Sequence, residues 1–317
     1  METFLVFLWF AVGLVCIIKG GDWFVDAATW IAEVSGIPHF IVGATVVSLA
    51  TTLPEIIVSL MAAAEGSAEM AVGNAIGSVT ANTGMIFAIS ILFMPAVIVR
   101  RKYLPKSLIF IGSIVLLWLL SLSGELTVIG AVAMMALFLF FIWENISEAK
   151  KELGSGETEK APTDRRSIIK NIALFILGAA GIVIGSRLLV DKGTIIATDI
   201  LGVPERIVAL TMVAIGTSLP ELVTTITAIA KKQSSLSVGN IIGANIIDMI
   251  LILPLCSFVL GGSLTVAQST LWIDLPISLA VAIIALVPAL VSKKFQRWQG
   301  AACLTVYAGY IAYLCIA

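Results

Sequence analysis

Residues 36–55 read GIPHFIVGATVVSLATTLPE, and residues 202–221 read GVPERIVALTMVAIGTSLPE. The two stretches align without a gap at an offset of 166 (202 − 36). At the same offset VGNAIGS (72–78) meets VGNIIGA (238–244), and Asn82 meets Asp248. From 36 to 82, seventeen of forty-seven positions are identical to their counterparts. Apolar composition alone gives scattered matches, but not TxLPE and VGNxIG together in one register. Upstream, Gly20 and Asp26 match Gly185 and Asp191 after a one-residue slip. The chain is therefore read as two related halves.

The sequence around the repeat is apolar throughout, with 59% hydrophobic residues, 12% charged residues and a mean hydropathy of +1.08. A soluble domain carries about 25% charged residues, and runs long enough to cross a bilayer recur along this chain. The pattern predicts an all-α integral membrane protein with ten transmembrane helices. They fall near 3–32, 40–63, 69–98, 104–122, 126–146, 168–197, 205–230, 236–260, 270–292 and 298–316. The polar stretch SEAKKELGSGETEKAPTDRRS (147–167) reads as a linker between a first five-helix half, 1–146, and a second, 168–317. METFLVFLWFAVGLVCIIKGG at the N-terminus lacks a basic n-region and reads as the first span.

Fifteen of the nineteen Lys and Arg residues lie in the segments after the third, fifth, seventh and ninth spans or, for Lys106 and Lys170, at the third residue of the span that follows. The positive-inside rule then puts the linker in the cytoplasm and both termini outside, in a multi-pass protein of the plasma membrane. Each half holds an odd number of spans, so the second enters the membrane from the opposite side. That arrangement is an inverted-topology repeat, whose binding sites sit near the midplane at interrupted helices.

Several function classes are excluded. The net charge is −1 and no basic cluster is interleaved with aromatics, which argues against nucleic-acid binding. Cys16, Cys256, Cys303 and Cys315 all fall in apolar runs, with neither zinc nor disulfide spacing. There is one histidine, no HExxH and no cofactor fingerprint, so no enzyme is expected. The lipid bilayer is the expected partner, with no obligate protein partner indicated.

The second predicted span carries Ser48, Thr51, Thr52, Pro54 and Glu55, and the seventh carries Ala214, Thr217, Ser218, Pro220 and Glu221. A carboxylate in mid-span costs at least about 2.5–3.5 kcal/mol, so two at equivalent places call for a reason. Each proline withdraws a helical donor and crowds the preceding turn, freeing carbonyls near Ala50–Thr51 and Gly216–Thr217. Thr51 and Thr52 stand four and three residues before Glu55, on its face of a helix. Each motif thus offers a carboxylate, hydroxyls and carbonyls on one stripe. That oxygen set suits Na⁺ or Ca²⁺ and not thiophilic metals. A kinked helix with an ion-paired glutamate is the competing explanation, and the repetition argues against it. In the third and eighth spans Gly73, Asn74, Gly77, Ser78 and Asn82 match Gly239, Asn240, Gly243, Ala244 and Asp248. Glycines here permit close helix approach, but Asp248 is a third mid-membrane acid that packing does not explain.

With these motifs in view, the chain resembles the prokaryotic sodium/calcium exchangers of the calcium/cation antiporter superfamily, across nearly its full length. Their two repeats carry G(T/S)SxPE and GNxxGSN-type motifs. The resemblance implies a core of the second, third, seventh and eighth helices, with the first and sixth as long gating elements. It implies that Glu55 and Glu221 are the main Ca²⁺ carboxylates, joined by the carbonyls of Thr51 and Thr217, with Asn82 and Asp248 completing the central site. By the same resemblance Ser48 (carbonyl), Thr52 and Ser78 line a cytoplasmic-side Na⁺ position, and Ala214 (carbonyl) and Ser218 an outer one. Three departures stand out: Ala50 for a glycine, Thr52 for a serine and Ala244 for a serine. The last removes a hydroxyl from the outer Na⁺ position. The function implied is antiport of Na⁺ against Ca²⁺, with no cofactor. A proton- or potassium-dependent cation antiporter is the alternative, and a cation channel a more distant one. Lys19, Asp22, Arg187 and Asp191 are read as pairing or reaching to an interface, with gating as the other possibility. Trp143, Trp272 and Trp298 are read as interfacial anchors.

Overall fold

The computed structural model describes residues 2–95, 97–154, 164–201 and 216–316. Apolar runs become helices: α1 (Glu2–Ser35), α2 (His39–Thr51), α3 (Leu53–Ala64), α4 (Ala68–Phe93), α5 (Arg100–Leu120) and α6 (Val128–Gly154). After residues 155–163 come α7 (Arg165–Ile200), α8 (Leu219–Ala230), α9 (Ser234–Val259), α10 (Thr270–Ser292) and α11 (Arg297–Ile316). Among the described residues seven helices are long and apolar enough to cross a membrane, or eight if the bent pair α2 and α3 counts as one span. The expected count of ten is not reached on that measure. Only Leu219–Ala230 of the predicted seventh span forms a described helix, and α11 is not among the seven.

Three boundaries differ from the sequence reading for local reasons. The third span stops at Phe93 rather than 98, because Met94 precedes Pro95 and takes an extended conformation (φ −136°, ψ 75°). Val97 then bridges to Lys294, with Ile98 N–H donating to Lys293 O at 3.0 Å. The fourth span starts four residues early, at Arg100. The fifth runs on to Gly154, because Glu, Ala, Lys and Leu after residue 146 are good helix formers even where they are no longer apolar. Among the described residues of the expected linker, 147–154 continue this helix and 165–167 begin the next. At the far side Asp164 caps α7, its carboxylate accepting the Ser167 N–H at 3.2 Å.

Burial separates a centre from a periphery. Of the most apolar stretches of α4 and α9, 72% and 83% are buried, against 22% for α1 and α7. α2 lies on α9 at touching distance: a methyl on Gly243 would sit 2.5 Å from Ala44 O and 2.6 Å from Ser48 Oγ. α1 and α7 pack on each other through glycines, and a Cβ on Gly20 would meet Gly178 O at 2.8 Å. The glycine pair matched by sequence, Gly20 and Gly185, therefore lies in one interface. Small residues at such crossings are what lets helix backbones approach inside a bilayer.

Short contacts tie the helix ends. Glu125–Thr127 pairs antiparallel with Ser263–Thr265, Leu126 facing Leu264. Lys106, fully buried near the start of α5, donates to Glu144 at 2.6 Å and to Glu148 of α6, and stands over the Phe40 ring. Lys231, just past α8, pairs with Asp26 at 2.7 Å and Asp22 at 3.4 Å.

Candidate functional site

The chain breaks between α2 and α3, whose axes bend by 46°. Thr52 sits at the break with φ −81°, ψ −1°, and Ser218 precedes α8 with φ −83°, ψ 4°. Thr52 and Ser218 thus take the same conformation where α3 and α8 begin. Pro54 and Pro220 lie in the first turn of the restarting helices, where their fixed φ fits and no N–H is needed. The carbonyl one turn earlier, on Ala50 or Gly216, loses its usual donor. Hydrogen bonding resumes with Ile56 N–H to Thr52 O and Leu222 N–H to Ser218 O, both 3.0 Å. Glu55 and Glu221 fall in the first turn of α3 and α8, where the helix dipole favours negative charge.

Facing these corners, Asn82 and Asp248 each open a π-helical turn, Asn82–Phe87 in α4 and Asp248–Ile252 in α9. Such single wide turns gather at functional sites. No feature of the sequence beyond the matched pair marked them.

Glu55, Glu221 and Asp248 are fully buried, and Asn82 is 1% exposed. Neither carboxylate oxygen of Glu55 or Asp248 has a hydrogen-bond partner among the described residues, nor have Glu221 Oε2, Ser218 Oγ or either polar atom of the Asn82 side chain. Glu221 Oε1 accepts from Thr52 Oγ1 at 3.3 Å, across the two halves. None of the three acids enters an ion pair among the described residues. The three carboxyls lie within electrostatic reach of one another. Unpaired buried carboxylates are costly, and a cation is the counterpart that such a set fits. No group of three or more Asp, Glu, His or Cys side chains among the described residues is close enough to hold a metal ion together. Hydroxyls and carbonyls must therefore supply part of any shell.

The remaining expected residues fall around this centre. Thr217 Oγ1 lies 3.4 Å from Ser78 Oγ, and Thr51 Oγ1 reaches Asn240 Oδ1 at 3.2 Å. Ser48 is buried, but its carbonyl already accepts Thr52 N–H at 2.9 Å and Thr51 Oγ1 at 3.2 Å. Offering it to an ion requires one of those bonds to open. Ala214 lies outside the described residues. Beside the corners a cavity of about 210 Å³ is lined by Pro54, Thr217 and Pro220, with Ser186, Arg187 and Asp191 of α7. Arg187 and Asp191 thus border the site, whereas Asp22 is taken by Lys231 rather than Lys19. Trp143, Trp272 and Trp298 are 62%, 62% and 51% exposed.

The sodium/calcium exchanger protein family matches residues 5–146 and 170–316. This chain belongs to the sodium/calcium exchanger family. The match covers both repeats and leaves out the residues between them, 147–169. Among relatives of this exchanger, an uncharacterized membrane protein of Methanocaldococcus jannaschii is 30% identical over 96% of this chain and 97% of its own. The sodium/calcium exchanger MaX1 of Methanosarcina acetivorans is 29% identical, over 97% of this chain and 98% of its own. A solved structure of the sodium-calcium exchanger NCX_Mj superposes with a TM-score of 0.84 at 26% identity, covering 98% of this chain and 99% of that one. The chain is an antiporter of the membrane, in line with the relatives that carry a functional name, MaX1 and NCX_Mj, which are exchangers.

Two exchanger residues that sequence reading left as packing motifs hold the site's frame. Asn240 joins Thr51 to Thr224, and Asn74 donates to Ser59 Oγ at 2.9 Å and Glu55 O at 3.4 Å. Their repetition at offset 166 was the available signal.

Proposed function

We propose that the protein exchanges Na⁺ for Ca²⁺ across the plasma membrane by alternating access, both ions being bound near the midplane by the two repeated Glu motifs. The observation that carries this reading is a set of three buried carboxylates with no ion-pair partner among the described residues, two of them, Glu55 and Glu221, in the first turn of helices that start at equivalent prolines. Glu55, Glu221, Asp248 and Asn82 form the central site, with Thr51 and Thr217 contributing carbonyls. Thr52, Ser78, Ser48 and Ser218 line flanking Na⁺ positions, together with Ala214. The two halves, 1–146 and 168–317, are inverted five-span repeats joined by the 147–167 linker.

Contacts at the helix ends support the ten-span, inverted arrangement. Glu125–Thr127 and Ser263–Thr265, which pair, follow the predicted fourth and eighth spans. Val97 and Lys294, which bridge, follow the third and ninth. Segments that touch thus share a parity, as they must if each span crosses once. The basic segments after odd spans put that side in the cytoplasm and both termini outside.

The test is Ca²⁺ uptake by proteoliposomes under imposed gradients. An outward Na⁺ gradient is expected to drive Ca²⁺ in, and a proton gradient without Na⁺ to drive none. Equal uptake on protons alone, or a strict K⁺ requirement, moves the protein to another branch of cation antiporters. Ca²⁺ flux with no counter-ion on the opposite side is the channel outcome.

A further inference from the structure

Thr51 and Thr217 occupy equivalent positions, yet their hydroxyls meet different partners. Thr217 Oγ1 lies 3.4 Å from Ser78 Oγ. The counterpart of Ser78 is Ala244, so Thr51 has no hydroxyl to meet there. Its Oγ1 donates instead to Asn240 Oδ1, at 3.2 Å, sharing its proton with Ser48 O at 3.2 Å. Asn240 Nδ2 donates to Thr224 Oγ1 at 3.0 Å. That hydroxyl in turn donates to Pro220 O at 2.9 Å and Glu221 O at 3.0 Å. Asn74, the counterpart of Asn240, has both of its bonds, to Ser59 Oγ and Glu55 O, inside its own half.

Asn240 is 1% exposed, and Thr51 and Thr224 are each 3% exposed, so water cannot easily replace these bonds. A buried amide left unsatisfied is expensive, and a satisfied one fixes its neighbours. The chain Thr51–Asn240–Thr224–Glu221 therefore clamps the corner of the first half to the corner of the second. The corresponding clamp in the opposite direction is the direct Ser78–Thr217 contact.

We propose that Asn240 is a positioning residue for ion exchange: it orients the Thr51 corner against the Glu221 corner in place of the hydroxyl that Ala244 lacks. It touches neither ion and acts through Thr51 and Thr224. This rests on the exchanger reading above, since it concerns how the same site is held.

The experiment measures Na⁺-driven Ca²⁺ uptake by the reconstituted full chain as Ca²⁺ is varied. It compares wild type, Asn240→Leu, Ala244→Ser and the double variant. Leucine keeps the number and branching of the heavy side-chain atoms and removes both hydrogen bonds. Asn240→Leu is expected to raise the Ca²⁺ concentration for half-maximal uptake about fivefold, one buried hydrogen bond's worth, with the maximal rate little changed. Ala244→Ser in the same chain restores most of that shift, because the new hydroxyl stands where Ser78 stands for Thr217. A residue that merely supports the fold would show no such rescue.

An unshifted Asn240→Leu, or a shift that Ala244→Ser leaves in place, overturns the proposal. Should Asn240→Leu fail to reach the membrane, Thr51→Val is read instead. It breaks the same bond from the other end and keeps the carbonyl. It must raise the half-maximal concentration by a similar factor, and Ala244→Ser must not restore it; any other result overturns the proposal. Wild type failing to exchange at all sinks the exchanger reading itself, and is distinguishable from either outcome.

Discussion

Ala244 places a methyl group where its counterpart, Ser78, places a hydroxyl, and both positions are buried. Na⁺ prefers a small set of close oxygens. A missing neutral ligand weakens binding by about 1–2 kcal/mol, or roughly five- to thirtyfold in affinity. Ala244→Ser is therefore expected to lower the Na⁺ concentration that gives half-maximal exchange from the outer side. Ca²⁺ affinity of the otherwise wild-type chain should move less, because the proposed Ca²⁺ site draws its charge from Glu55 and Glu221. An unchanged Na⁺ dependence in active protein means the hydroxyl has no role there. At this scale the sequence exposed the acids and hydroxyls by their repetition. It could not expose which carbonyls were free: Ser48 O, an expected ligand, already accepts two bonds, a fact set by how far α2 unwinds before Thr52.

Among elements, the α5–α6 pair is held by a buried ion triad. Lys106 is fully buried, with the Glu144 and Glu148 side chains at 15% and 14% exposure. Removing the lysine leaves two carboxylates facing each other with little water, a loss on the order of 3 kcal/mol. Lys106→Met should lower the unfolding midpoint in detergent, and adding Glu144→Gln with Glu148→Gln should recover most of it. A Lys106→Met variant as stable as wild type contradicts this assignment. Lys106 was read from sequence only as one of the cytoplasmic charges. Its burial became visible once α6 was seen to continue past residue 146 and bring Glu148 alongside. Helix existence was legible because period and apolarity act locally. The ends at Phe93 and Gly154 were less so, because a single proline or a run of good helix formers outweighs hydropathy there. The π-turns at Asn82 and Asp248 depend on packing across the halves, which no local pattern encodes.

For the whole molecule, the repeat at offset 166 supports the proposed two-half plan, in which an odd number of spans per half inverts the second. Sidedness follows from charge, and thiol labelling tests it in a background lacking Cys16 and Cys315. Ser123→Cys and Gln268→Cys, exposed near the paired strands, should react with a membrane-impermeant reagent from outside. Lys150→Cys and Lys294→Cys should react only after permeabilisation. Labelling of all four from one side contradicts the ten-span reading.

The central claim is that both halves give an equivalent carboxylate to one Ca²⁺ site. Its most direct test is Na⁺-driven Ca²⁺ uptake by proteoliposomes of wild type, Glu55→Gln and Glu221→Gln. Each substitution keeps the shape of the side chain and removes one charge from a divalent-ion site. The expected result is uptake by wild type and none by either variant, with both proteins intact in the membrane. Exchange at wild-type rates by both variants would contradict the account.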